Sequence, residues 1–195
     1  MNYTNDCNWP GNDTLMRAYH DNEWGVPLHN DRKIFEFMVL DAFQAGLSWR
    51  TVLYKRENFR SAFADFDVHK IARFDEAKIQ ELMQDTSIIR NQAKIRATIQ
   101  NAKVFIQVQA EFVTFERYIW QFTGGKTLMN HPTCNAEIPA KSVESDTMSK
   151  DLQQRGFKFV GSTICYAFMQ AAGMVNDHLE GCRFKELPIN RENKI

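Results

Sequence analysis

An all-α fold is what this sequence predicts, and three observations carry the prediction. Apolar residues recur at helical spacing through most of the 195 residues, while no run alternates with the period of two that a half-buried strand requires. Asp and Ser residues stand just ahead of those stripes, where helix caps belong. Cys7 and His20 near one end and His178 and Cys182 near the other, spaced C-x12-H and H-x3-C, form the donor set that tetrahedral Zn2+ takes in closed structural sites. Such a site ties the two end segments together, so it predicts one zinc ion per chain acting as a clip and not as a catalyst. The other use of the same residues is four buried, hydrogen-bonded side chains without a metal.

The elements follow in order. Asp31 is placed to cap a helix whose stripe runs through Ile34, Phe37, Met38 and Ala45. Asp41 shares that stripe, and a carboxylate there is either buried with partners or lines a cavity. Ser48 caps a second helix carrying Val52, Leu53, Arg56 and Phe59. Asp67 and Asp75 cap shorter helices, the latter presenting Ile79, Leu82 and Met83. A long helix runs from Asn91 to Glu111 through Ile95, Ile99, Ala102 and Ile106. Phe115 to Phe122 forms another, stopped by Gly124-Gly125. Lys126 to Glu144, with Pro132 and Pro139, reads as a connection. Thr147 to Arg155 is helical up to Gly156, Phe157 to Gly161 is extended, and Ser162 opens a last apolar helix through Phe168 and Met174.

Composition narrows the class. A chain of this length buries a full core without disulfides, and its mean hydropathy of −0.46 with no long apolar run excludes a membrane-spanning helix. Met1 to Trp9 is polar and lacks the apolar core of a secretion signal. With four cysteines, that points to a reducing, cytoplasmic setting. Twenty-four basic residues balance 24 acidic ones, so bulk positive charge is not what holds a nucleic acid. The clusters Arg90, Lys94, Arg96, Lys103 and Lys150, Arg155, Lys158 read, taken alone, as solvated helix faces. The segment Asp85 to Asn91 joins two helices; such a hairpin either aims backbone N–H groups at a phosphate or is an ordinary connection.

Several motifs go further: Tyr19-His20-Asp21-Asn22-Glu23-Trp24-Gly25-Val26-Pro27, Gln44-Ala45-Gly46-Leu47-Ser48-Trp49, Lys55-Arg56-Glu57-Asn58, Arg155 to Gly161, and Val175-Asn176-Asp177-His178. In this order, from about Cys7 to Cys182, they resemble the DNA-3-methyladenine glycosylase I family. The resemblance implies a helix-hairpin-helix DNA glycosylase globule with a structural zinc, acting in base-excision repair on double-stranded DNA that contains alkylated bases. It implies a single glycosylase-like domain over residues 1–195, with the pocket between two helical lobes as one arrangement, and a monomer. The family's zinc ligands fall on Cys7, His20, His178 and Cys182. Its base pocket falls near Tyr19, Trp24, Trp49 and Asp41, with Asp41 the catalytic carboxylate. Its DNA contacts fall on Gly46 and Leu47, which press into the duplex, and on the hairpin from Ser87 to Lys94, with Arg90 and Lys94 adding charge.

Those residue types suit the chemistry. The target base leaves the stack before its glycosidic bond can be reached, and aromatic walls then hold it. An N3-alkylated adenine nucleoside is cationic, so the rings of Tyr19, Trp24 and Trp49 attract it and the base departs readily. No lysine is placed by these motifs for Schiff-base chemistry, so strand cleavage is not expected. The chain departs from the family at Asp41, where a glutamate is usual, at Met16, where a pocket tyrosine is common, at Phe43, usually polar or small, and at Ser87, a glycine in some members. Two alternatives therefore stay open: the same fold with a changed base preference, and a lesion-binding protein that does not excise.

Overall fold

The computed structural model describes residues 7–186. Most helices start where a short polar side chain takes over unpaired N–H groups; the two that begin behind Lys55 and Gly161 do not. Asp13 accepts from Leu15 and Met16 and opens α1, Thr14–Asn22. This helix carries Tyr19 and His20, and the sequence pattern did not reveal it. Its apolar stripe is short, and the motif around His20 masks the period.

Asn30, not Asp31, caps α2 (Asp31–Gln44) by accepting from Lys33 N–H. Asp31 serves another helix: its carboxylate accepts from the N–H groups of Phe115 and Glu116 and from Gln109 Nε2, at 2.7–2.9 Å. It thereby joins the start of α2 to the start of α8 (Phe115–Trp120). Ser48 caps α3 as expected, but the helix runs only Trp49–Leu53 before the chain turns at Tyr54-Lys55 into α4, Arg56–Ala62. A 3-10 turn at Ala64–Phe66 leads to α5, Val68–Ile71, capped by Asp67, and α6, Glu76–Gln84, capped by Asp75. The segment 85–91 connects α6 to α7 (Gln92–Phe112), where Asn91 accepts from Lys94 N–H.

The core sits between α2 and α7. Phe35 and Phe115 pack on Phe105 from either side, with ring centroids 5.1 and 3.9 Å away. Phe43, fully buried, packs on Phe59 at 4.7 Å; its departure from the family pattern is a core matter. Gly124 at φ +67 follows the 3-10 turn that ends α8. Helix α9, Val143–Arg155, begins four residues before its apolar stripe does, because Ser142 and Ser145 exchange side-chain and backbone hydrogen bonds in a capping box. Gly156, at φ +99, stops it. The last helix, α10, spans Ser162–Ala171, with Gly161 at the N-cap.

The connection after α8 contains one strand of a pair too short to show a period; the other follows α10. Leu128–Met129 (β1) pairs in parallel with Val175–Asn176 (β2). This pairing, with Glu180 N–H donating to Pro132 O at 2.7 Å, delivers His178 and Cys182 to the end of α1. Among the described residues no helix is long and apolar enough to cross a membrane.

Candidate metal and base-binding centre

The end of α1 and the segment after β2 meet in a buried cluster. Cys7 Sγ, a nitrogen of His20 and Cys182 Sγ all lie within 4.8 Å of one another. His20 Nε2 is 3.9 Å from Cys182 Sγ, while Nδ1 bonds Asp21 Oδ1 at 2.7 Å. His178 is not in that three-residue group, yet its ring centroid is 4.8 Å from that of His20. Its Nδ1 bonds Asn176 Oδ1 at 2.9 Å, and its Nε2 is buried with no partner among the described residues. Both histidines thus have Nδ1 fixed by an outer acceptor, the arrangement that presents Nε2 to a metal.

The electrostatics agree with a cation site. Hydrogen bonds from Cys7 and His20 draw the Cys182 thiol far below the usual range, while the same bond to Cys182, with burial, raises Cys7. Burial, reinforced by His20, lowers His178 to about 4, so its imidazole is neutral and free to ligate. The donor set therefore fits a bound metal. Gly25 leaves room for the His178 ring: at φ +74, a Cβ there would stand 3.1 Å from His178 Cε1.

An aromatic layer adjoins the cluster. Tyr19 packs on Trp49 at 5.0 Å and on Phe37 at 6.2 Å. Trp24, expected as a base wall beside them, instead directs its ring contacts to Trp9, His20 and His178, at 5.2, 5.9 and 4.7 Å. Trp9, which the sequence reading passed over, bridges the two layers by also touching Tyr19 at 6.3 Å. Its only sequence signal was a tryptophan two residues beyond Cys7, a candidate metal ligand. Beside this layer runs an open groove of about 710 Å³ lined by Trp9, Asp13, Met16, Ser48, Arg50 and Tyr54. Met16, where the family often has tyrosine, is one of its walls.

Asp41 is 4 % exposed on α2, and its Oδ2 has no partner among the described residues. The indole nitrogens of Trp9 and Trp49 are buried and unpaired in the same way. Burial holds the Asp41 carboxyl well above the usual carboxylate range, and Tyr19 is raised by burial and by Asp41 and Glu23. Buried polar atoms without partners are rare; here one acceptor and two donors stand around a single aromatic layer. A flat ligand with a polar edge is the kind of molecule that supplies such partners, though the groove beside the layer is lined by Trp9 and Met16 and not by Asp41 or Trp49.

The remaining expected residues divide. Gly46, at φ +81, and Leu47, 43 % exposed, project from the loop after α2. Arg90 is exposed on the segment 85–91. Lys94 does not join it. The free ammonium expected on a phosphate is turned inward, donating to the carbonyls of Phe43 and Ala45 at 2.9 and 2.7 Å. The 55–58 motif links these parts. Lys55 donates to Ser87 O at 2.8 Å, and Arg56 donates to Glu36 and Glu23, both at 2.6 Å, beneath the Phe37 ring. Ser87 turns its N–H and hydroxyl to Asp85 Oδ1, closing the hairpin on itself.

Comparison with known proteins places this arrangement. The family model for methyladenine glycosylase matches residues 9–186. DNA-3-methyladenine glycosylase 1 of Escherichia coli (strain K12) is 48 % identical over 176 residues, covering 90 % of this chain and 94 % of that protein. The DNA-3-methyladenine glycosylase of Haemophilus influenzae is 42 % identical over 182 residues, covering 93 % and 98 %. A crystal structure of 3-methyladenine DNA glycosylase I superposes with a TM-score of 0.90 at 46 % identity, over 92 % of this chain and 98 % of that one. The Staphylococcus aureus enzyme, solved to explain its recognition of 3-methyladenine, gives 0.90 at 31 % identity over 93 % and 96 %. The same helical fold is shared at nearly full length, and on that likeness the chain belongs to the methyladenine glycosylase family.

Proposed function

We propose that the protein is a monofunctional DNA glycosylase, acting as a monomer, that hydrolyses the N-glycosidic bond of 3-methyladenine in double-stranded DNA and so opens base-excision repair. Its relatives carry that activity in their names. The observation within this chain that supports it most is Asp41, a buried carboxyl with an unpartnered oxygen, close enough to raise the pKa of Tyr19. A flipped base would lie against Tyr19 and Trp49, with its polar edge toward Asp41. The approach of a cationic base favours the ionised carboxylate, and that pair steadies the positive sugar–base unit. The C1′–N bond then breaks, the base leaves with the bonding electrons as neutral 3-methyladenine, and water adds to C1′ and gives up a proton to solvent, leaving an abasic site. No lysine is assigned to attack the sugar.

Zinc is the metal this reading assigns to the cluster, held by Cys7, His20, Cys182 and, through its unpaired Nε2, His178. Two thiols and two imidazoles leave no open position, so the ion fixes α1 and takes no part in the reaction. Gly46 and Leu47 would enter the duplex beside the extruded nucleotide, with the hairpin and Arg90 on the backbone.

The test is incubation with methylated genomic DNA and identification of the free bases. Release of 3-methyladenine is expected. Release of a different base would favour the changed-preference reading that the shorter Asp41 side chain keeps open. Tight binding to lesion-containing DNA with no base released would make the protein a binder.

A further inference from the structure

Lys94 is badly placed for its own helix. It occupies the first turn of α7, where the positive end of the helix dipole disfavours a cation, and it is only 6 % exposed. Its ammonium lies instead at the negative end of α2, on the carbonyls of Phe43 and Ala45. Helix α2 needs such a donor, because its last turn contains no basic residue. The carbonyl between these two, that of Gln44, accepts from Leu47 N–H at 2.6 Å.

These contacts fix the first end of the Gly46–Leu47 loop. Ser48, accepting from Thr51 N–H at 3.2 Å, fixes the second. Lys55 grips the hairpin at Ser87, and Lys94 stands one turn beyond that hairpin. We infer that Lys94 is a positioning residue for base extrusion: a strut that sets the height of the Gly46–Leu47 loop, and of the α2 end behind Asp41, against the hairpin. The inference rests on the glycosylase reading above, in which that loop enters the duplex. Two acceptors satisfy the buried ammonium, and burial lowers its pKa; both follow from a contact made inside the protein and not to DNA.

Lys94→Met keeps the aliphatic stem and removes the donors. The measurements are release of 3-methyladenine from methylated duplex and from the same lesion in single-stranded DNA, where no stacked pair must be opened, together with the salt dependence of binding to undamaged duplex. A strut predicts that the duplex-to-single-strand ratio of kcat falls roughly tenfold or more, as displaced machinery does, with KM and the salt slope little changed. A phosphate contact predicts a raised KM and a slope of log K against log salt smaller by about 0.9, with the ratio held; that result overturns the strut. So does a lower Tm with both activities falling together and the ratio unmoved.

Leu47→Ala separates the inference from its foundation. If it lowers the ratio and Lys94→Met does not, the strut alone fails. If Leu47→Ala leaves duplex excision intact, the reading of the loop fails and takes the strut with it. Should Lys94→Met not fold, amide exchange in the unaltered protein decides. The Leu47 N–H, held on Gln44 O, should then be protected like the Ile95 N–H held on Asn91 O, and exchange as fast as in a free surface loop overturns the strut.

Discussion

At the scale of single residues, Asp41 sets function against stability. Burial raises its pKa in the native state, so the folded protein holds this proton more tightly than the unfolded chain, where the carboxyl titrates near 4. The stabilisation is complete below that value and is lost as pH rises through the native pKa. Asp41→Asn removes the cost of the buried charge. Urea unfolding should therefore show the variant gaining on the parent at pH 8 relative to pH 5, while excision falls by about a hundredfold, the scale of a lost charge contact in a dry site. A gain independent of pH would mean that Asp41 ionises freely in the native state. Asp41→Glu should raise activity on 3-methyladenine if reach is what the shorter side chain lacks. Asp41 stood out in the sequence because a carboxylate on an apolar helical stripe demands a reason. Trp9 could not, since its role depends on α1 turning Tyr19, His20 and, just past its end, Trp24 back onto it, and that helix carried no clear period.

At the scale of elements, caps decided the boundaries. Ser48, Asp67 and Asp75 were legible because each acts on its own helix, within three residues. Asp31 was misjudged because its work is tertiary, and Lys94 for the same reason: a cation near a hairpin suggests phosphate until a distant helix end claims it. The β1–β2 pair was illegible in principle, as two residues carry no period. Asp31→Ala should cost about 2 kcal/mol in chemical denaturation, since it strands the start of α8 as well as Gln109. Asn at 31, which keeps the acceptor, should recover most of it. Equal losses in both variants would mean that charge, and not the acceptor, matters there.

At the scale of the molecule, the cluster at Cys7 and Cys182 closes nearly the whole described chain into one loop. A cross-link of that span restricts the unfolded chain by about 5 kcal/mol in the loop-entropy limit. Cys182→Ser should therefore lower Tm far more than Cys134→Ser, because Cys134 is exposed and outside the cluster. A strong chelator should shift the parent toward the Cys182→Ser value and leave that variant where it is. Protein purified without added metal should contain about one equivalent of zinc. Identical melting of the two cysteine variants would remove the clip. The same closure has a consequence for synthesis. A nascent chain leaving the ribosome at some 5–20 residues per second can form α2 and α7 early. Tyr19, Trp24 and Trp9 must wait until the stretch around Cys182 has emerged before their layer has a back wall. No translation intermediate that stops short of Cys182 can carry a finished pocket, so the protein becomes competent to open a glycosidic bond only once that stretch has been made.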